Sequence, residues 1–148
     1  MGKKHALIRL LEALEKEKIR FVVIGMSAAI AQGVIANTLD LDLWIDLPPR
    51  QYMRVQNLAV KTGATIAANT VVYLEDGTPV NFVYEVTGIG SFAREQRNMV
   101  EALIHGVKIP VLHLTRILKS KETIRRDKDL LHILLLKEFL RCKSKLKG

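Results

Sequence analysis

The sequence predicts a single α/β domain in which helices pack on a mixed β-sheet. Three observations predict this class. The 148 residues are 49% hydrophobic and 26% charged, a composition typical of a globular chain that can bury one core. Helical and strand-like patterns alternate along the chain, with neither an internal repeat nor a linker. Two β-rich segments flank Asp76-Gly77, a dipeptide favoured in tight hairpin turns.

The first half of the chain alternates between helical and strand patterns. Apolar residues at helical spacing predict the first helix, and short apolar segments predict the strands. Ser27 is expected to cap the second helix and Gly33 to end it, whereas Pro48 ends the second strand and Pro49 opens the third helix. The predicted elements are a helix over 4–17, a strand over 19–25, a short helix over 26–34, a strand over 39–47 and a helix over 49–61.

The second half contains the hairpin signals. The segment "TVVYLEDGTPVNFVYEV" predicts a hairpin over 70–86, and residues 87–98 read as a loop. A shorter hairpin is expected over 101–112 around His105-Gly106, followed by helices over roughly 114–122 and 127–142. The last helix is apolar around much of its circumference, so we expect it to be buried on more than one side, either within the chain or against a second copy or a protein partner.

The positive charge is concentrated near the C-terminus. Residues 114–148 hold 11 of the 23 Lys and Arg but only 4 of the 15 Asp and Glu, so this segment carries most of the net charge of +8. A local cationic surface favours phosphate-bearing partners, either a nucleotide or RNA. For residues 141–148, a solvated basic tail explains the composition equally well.

Asp40, Asp42 and Asp46 occupy alternating positions of the segment "LDLDLWID". Side chains two apart on a strand share a face and are about 7 Å apart, so Asp40 and Asp42 could share a divalent cation. Oxygen ligands of this kind suit Mg²⁺ or Mn²⁺. Leu39, Leu41, Leu43 and Ile45 should face the opposite side and pack on helices. The alternative is an exposed sheet edge with solvated carboxylates.

The surrounding sequence resembles a known signature. The segment "VIGMSAAIAQGVIANTLDLDLWI" contains Gly25 and Ser27 at a strand end, then a short helix, then Asp40 and Asp42 on a strand. This arrangement resembles the nucleotidyltransferase superfamily. The segment "SKETIRRDKDLLHILLL" is similar to the Lys-x4-Arg-x-Lys-Asp motif of the bacterial abortive-infection toxin branch, a type of toxin-antitoxin protein. Together the two similarities extend over residues 20–136.

The resemblance implies a nucleotidyltransferase-type domain over residues 1–148 and Mg²⁺- or Mn²⁺-dependent transfer of a nucleoside monophosphate from a nucleoside triphosphate. Asp40 and Asp42 would hold the metal, and Asp40, Asp42 and Asn81 would occupy the catalytic positions. Nucleotide-binding positions would be Gly25, Ser27, Thr38, Lys121, Arg126 and Lys128.

Asn81 departs from the superfamily pattern, which has a third carboxylate at the matching position. An amide oxygen can contact a metal, but it carries no charge and is not a base. Glu85 lies four residues further along, about 13 Å away by strand rise. Three hypotheses follow: an active transferase, a nucleotide- or partner-binding module without turnover, or a basic module whose C-terminal helices bind RNA or protein directly.

The sequence predicts a cytoplasmic protein without a membrane segment. No apolar stretch reaches the roughly 18 residues that a membrane span needs, and Cys142 is the only cysteine. The acceptor could be RNA, a protein hydroxyl or a small molecule. The sequence does not choose among them.

Overall fold

A computed structural model of the chain describes residues 4–147, with Lys147 described by its backbone alone. Helices and strands alternate along these residues. The helices are α1 (Ala6–Lys16), α2 (Gly25–Ala31), α3 (Tyr52–Lys61), α4 (Phe92–Glu95), α5 (Leu114–Ile124) and α6 (Leu130–Lys147). The strands are β1 (Phe21–Ile24), β2 (Leu41–Ile45), β3 (Thr65–Ala68), β4 (Val71–Tyr73), β5 (Pro79–Val83), β6 (Met99–Ile104) and β7 (Val107–Leu112).

The strands form one mixed sheet in the order β3-β4-β5-β2-β1-β7-β6. β2 pairs in parallel with β5, and β1 pairs in parallel with β7, whereas the other neighbouring strands are antiparallel. Because β1 and β2 are antiparallel, the end of β1 lies beside the beginning of β2, with Ile24 opposite Asp42. The predicted α/β class with a mixed sheet is confirmed.

The core lies around the central strands. All four residues of β1 are buried, which means that side chains cover both faces of the sheet at this strand. α1 contributes Leu10 and Leu14, both fully buried, and packs against α3, whereas α5 packs against α2 and α6. Burial of each such leucine contributes about 1.5–3 kcal/mol. This packing fixes the positions of the two strands that carry Asp42 and Asn81.

Both predicted hairpins are present, and each turns where the sequence indicated. Gly77 has φ of +89° between β4 and β5. His105 and Gly106 have φ of +51° and +77° between β6 and β7, as a tight hairpin turn requires at both central positions. The predicted helices over 4–17, 114–122 and 127–142 correspond to α1, α5 and α6. The predicted helix over 49–61 corresponds to a 3₁₀ turn at Pro49–Gln51 that continues into α3.

Several details of the prediction were wrong. β3 was not predicted, because all four of its residues are exposed and show no alternation. The segment 87–98 is not only a loop, since Ser91 Oγ accepts a hydrogen bond from the Arg94 amide and starts α4. Leu39 does not pack on a helix: it precedes β2 and is 86% exposed.

The C-terminal helix also differs from expectation. Residues 141–147 continue α6 rather than forming a separate tail, and Gly148 lies outside the described residues. The helix is buried mainly on one side, where Ile133 is buried and Leu136 belongs to the core, whereas Leu131 and Leu134 are exposed. Among the helices described between residues 4 and 147, none has both the length and the apolar character needed to cross a membrane.

Candidate functional site

A cleft of about 360 Å³ opens where β1 ends and β2 begins. Its walls come from the β1–α2 turn, from β2 and β5, and from α5 with the turn that follows it. The cleft is lined by most of the site residues that the sequence singled out: Gly25, Asp40, Asp42, Asn81, Lys121, Arg126 and Lys128. Segments from both halves of the chain therefore meet at one site.

Asp42 lies at the centre of this cleft, on β2 and opposite Asn81 of β5. Its side chain is partly buried, and this burial raises the pKa of the Asp42 carboxyl above its ordinary value. The neighbouring charge of Asp40 also raises the pKa, whereas the Asn81 hydrogen bond and the positive charges of Lys121 and Arg126 lower it. A bound cation would favour the ionised form of this carboxyl.

Asp40 is exposed and lies just before β2, so the two carboxylates are not both on the strand as predicted. Two hydroxyls hold this position: Ser27 Oγ donates to the Asp40 carbonyl oxygen at 2.9 Å and Thr38 Oγ1 donates to the same oxygen at 3.1 Å. Ser27 is not the N-cap of α2, because the helix begins at Gly25. Its side chain instead connects the first turn of α2 to the segment that carries Asp40.

Gly25 has a left-handed backbone conformation, with φ of +68°. A Cβ atom at this position would lie 2.7 Å from Asp42 Oδ2, closer than real Cβ contacts allow. Glycine is therefore required both by the turn and by the close approach of the Asp42 carboxylate.

Asn81 occupies the position beside Asp42, and its Nδ2 donates to Asp42 Oδ1 at 3.4 Å. Within the described residues no group of three or more His, Cys, Asp or Glu side chains could hold a metal ion. Glu85 follows the end of β5 and lines the same cleft, but it does not complete such a group. Asp46 lies beyond the other end of β2, where it pairs with Arg20 at 2.5 Å.

The basic residues stand on the wall formed by α5 and the following turn. The Lys121 side chain is 15% exposed, and its Nζ lies 3.4 Å from Asp129 Oδ1. Arg126 Nε donates to Asp129 Oδ2 at 2.8 Å, and Lys128 is exposed at the rim. Both Lys121 and Arg126 lie close enough to Asp42 to lower the pKa of its carboxyl.

Some cleft residues were not singled out from the sequence. Ile117, Ser120 and Ile124 line the cleft together with Lys121. Their spacing of three or four residues places them on one face of α5, so helical periodicity around Lys121 could have identified them. Asp129 is the aspartate of the Lys-x4-Arg-x-Lys-Asp segment, but its burial has no local signal, because it depends on contacts with both Lys121 and Arg126.

Comparison with solved structures identifies the fold. The chain superposes on a lincosamide antibiotic adenylyltransferase, LnuA, with a TM-score of 0.61 and 15% identity, covering 91% of this chain and 96% of that one. A "putative nucleotidyltransferase" from Thermotoga maritima gives a TM-score of 0.58 and 19% identity, covering 91% and 90%. The antibiotic-resistance factor ANT(2'')-Ia gives a TM-score of 0.60 and 14% identity, and the superposition covers 91% of this chain and 82% of that one.

The chain has the nucleotidyltransferase fold. The predicted nucleotidyltransferase-type fold is thus confirmed. No protein-family model and no curated protein sequence matches the chain. The assignment to the abortive-infection toxin branch stays a prediction. In this nucleotidyltransferase fold, the cleft lies between the paired ends of β1 and β2 and the basic wall of α5.

Proposed function

We propose that this protein binds a nucleoside triphosphate together with Mg²⁺ or Mn²⁺ and transfers the nucleoside monophosphate to an acceptor. The observation that supports it best is the arrangement of charge in one cleft: Asp40 and Asp42 on one side, and Lys121, Arg126 and Lys128 on the other. A carboxylate pair facing a cationic wall suits a metal-bound triphosphate.

The donor atoms of the site fit a hard divalent cation. Asp40 and Asp42 would supply carboxylate oxygens, and Asn81 could add its amide oxygen because it lines the cleft beside Asp42. When bound, such a cation would neutralise phosphate charge and polarise the phosphorus that is attacked. With two carboxylates rather than three, the donor set suits one firmly held ion.

The remaining residues would bind and orient the triphosphate. Gly25 lines the cleft and would present its backbone at the β1–α2 turn to the phosphate oxygens. Lys121 and Arg126 would contact phosphate oxygens from the opposite wall, with Lys128 adding charge at the rim. Ser27 and Thr38 could act indirectly, since both hydroxyls already hold the Asp40 carbonyl oxygen.

Asn81 favours a second candidate function, nucleotide binding without turnover. The position beside Asp42 would be suited to a general base, but an amide cannot remove a proton from an acceptor hydroxyl. A third candidate is direct binding of RNA by the basic C-terminal helices. It rests on the 11 Lys and Arg between residues 114 and 148.

The solved structures and the exposed face of α6 indicate which acceptors and partners to test. LnuA is described as a lincosamide antibiotic adenylyltransferase, and ANT(2'')-Ia has a structure with adenylyl-2''-tobramycin. This chain spans nearly all of LnuA, which favours testing a small-molecule acceptor first among the three candidates, before RNA and protein. The exposed Leu131 and Leu134 of α6 would suit a homodimer or another protein partner.

Calorimetric titration with each nucleoside triphosphate, with Mg²⁺ or with a chelator, tests the donor site. We expect metal-dependent binding that is lost in Asp40→Ala and in Asp42→Ala. Asp46→Ala is the matched control, because Asp46 lies at the far end of β2 and pairs with Arg20. If Asp40→Ala and Asp42→Ala bound the triphosphate as well as Asp46→Ala does, the proposed site would be refuted.

Turnover and RNA binding need separate measurements. Transfer of label from an α-labelled nucleoside triphosphate to total RNA, protein or small molecules tests the transferase. The RNA-binding alternative predicts salt-sensitive binding that survives the Asp40 and Asp42 substitutions but is lost when Lys121, Arg126 and Lys128 are neutralised. Metal-dependent triphosphate binding without transfer would favour the second candidate.

A further inference from the structure

Asp129 is a carboxylate buried behind the cationic wall of the cleft. Asp129 is only 2% exposed, and it is not among the residues that line the cleft. Oδ1 contacts Lys121 Nζ at 3.4 Å and Arg126 Nη2 at 3.2 Å, while Oδ2 accepts from Arg126 Nε at 2.8 Å. One carboxylate therefore contacts two cations that come from different segments, α5 and the turn that follows it.

The same carboxylate has a local structural role. Oδ2 also accepts from the Arg126 backbone amide at 3.2 Å, which caps the N-terminus of the 3₁₀ turn Asp127–Asp129. A cap needs only one acceptor oxygen near that amide. The contacts with the Lys121 and Arg126 side chains go beyond this requirement. They restrict two long and otherwise adaptable side chains to positions beside the cleft.

We propose that Asp129 is a positioning residue, which holds Lys121 and Arg126 in the orientation that receives the triphosphate of the donor. This inference rests on the proposed function, since it assigns the two cations to phosphate binding. Prior ordering of side chains lowers the entropic cost of binding, and this cost is substantial for Lys and Arg. A ligand would then meet two cations already in place.

Electrostatics and positioning predict opposite effects when Asp129 loses its charge. Asp129→Asn removes one negative charge beside two cations, so the local field becomes more favourable to an anion and binding should tighten. If positioning dominates, the freed side chains must be ordered by the ligand, and binding should weaken despite the better field. The direction of the change therefore separates the two roles.

The test uses calorimetric titration of the full chain with ATP, with and without Mg²⁺, and with inorganic tripolyphosphate. We expect Asp129→Asn to bind both probes about tenfold more weakly than the unmodified protein. Asp127→Asn is the matched control, because Asp127 is an exposed acid of the same turn and does not line the cleft. It removes the same charge, and its binding should be unchanged or slightly tighter.

A thermodynamic cycle with Lys121→Ala shows whether Asp129 acts through its partner. Adding Asp129→Asn to Lys121→Ala should weaken binding by much less than the single change does, because part of what Asp129 holds is already absent. If Asp129→Asn does not fold, judged by its melting curve, Asp129→Glu replaces it. That variant keeps the charge but displaces both cations, and weaker binding is again expected.

The outcomes separate this inference from the function on which it rests. Unmodified protein that binds neither probe would overturn the proposed function, and the role of Asp129 with it. Normal binding by the unmodified protein, with unchanged or tighter binding by Asp129→Asn, would overturn only the positioning role. Fully additive effects in the cycle would overturn it as well.

Discussion

A methyl group added at Gly25, by the substitution Gly25→Ala, would meet the carboxylate of Asp42. The new Cβ would lie 2.7 Å from Asp42 Oδ2, whereas ordinary contact begins at 3.4 Å, so the carboxylate must move by roughly 0.7 Å. The backbone adds a second cost. The backbone at position 25 has φ of +68°, and holding an alanine in this left-handed conformation costs about 1–2 kcal/mol of folding free energy.

A matched control separates the two effects. Gly106 has φ of +77° in the turn between β6 and β7, and an added Cβ there meets nothing within 4 Å. Gly106→Ala should therefore show the backbone cost alone. The difference between the two alanine variants reports the displacement of Asp42.

Two measurements on these variants test the reasoning. Urea unfolding should show both destabilised by about 1–2 kcal/mol. Titration with Mg²⁺ and ATP should show binding weakened at least about tenfold in Gly25→Ala and unchanged in Gly106→Ala, because metal sites tolerate displacements of only about 0.5 Å. If Gly25→Ala bound Mg²⁺ and ATP like the unmodified protein, Asp42 could not be the ligand inferred from this cleft.

Three further substitutions, one of them with a control variant, test the fold and the site. Glu95 is buried and accepts two hydrogen bonds from Arg116, which lower the pKa of Glu95 to about 2. Because this folded-state pKa lies below the ordinary value of 4.5, its contribution of about 3 kcal/mol is complete above pH 4.5 and is lost as the pH falls toward 2. Glu95→Gln should therefore destabilise the protein at pH 7 but not at pH 2, as measured by urea unfolding, and an equal deficit at both pH values would contradict the ion pair. Leu136→Ala should cost about 2–5 kcal/mol because Leu136 is fully buried, whereas Leu134→Ala, at an exposed position of the same helix, should change stability by less than about 0.5 kcal/mol in the same assay. Asn81→Asp should increase Mg²⁺ affinity in calorimetry, since it adds a third carboxylate beside Asp42, and a decrease would show that Asn81 does not face the metal.

Local patterns in the sequence predicted most of the helices, strands and turns, because each of these patterns spans only a few residues. The turns at Asp76-Gly77 and His105-Gly106 were predicted from the dipeptides alone, and the apolar face of α1 from its spacing. The parallel pairing of β1 with β7 had no such signal, since the register places Val23 opposite Val111 across most of the chain. Strand β3 was missed because an exposed edge strand has no buried face to reveal it.

The sequence indicated which residues meet in the cleft, but not which atoms their side chains contact there. Asp40, Asp42 and the basic segment could be found from motif spacing, and the structure brings them to one cleft. The hydroxyls of Ser27 and Thr38 were expected at phosphate groups, yet both hold the Asp40 carbonyl oxygen. Which atom a short polar side chain contacts depends on how two loops meet. Residue spacing alone does not contain that information.

The uncharged side chain of Asn81 affects the balance of acidic and basic residues in the cleft. The described residues that line the cleft include three acids, Asp40, Asp42 and Glu85, and three basic residues, Lys121, Arg126 and Lys128. An aspartate in place of Asn81 would make the cleft acidic overall, which favours a second cation but opposes an anionic triphosphate before metal binds. Asparagine keeps the charges equal. In the proposed function, the donor would then be held with a single cation, and a group other than Asn81 would have to remove the proton of the acceptor. If the proposed function holds, Asn81 would affect proton removal and the second metal more than donor binding, and this is why binding and turnover are measured separately.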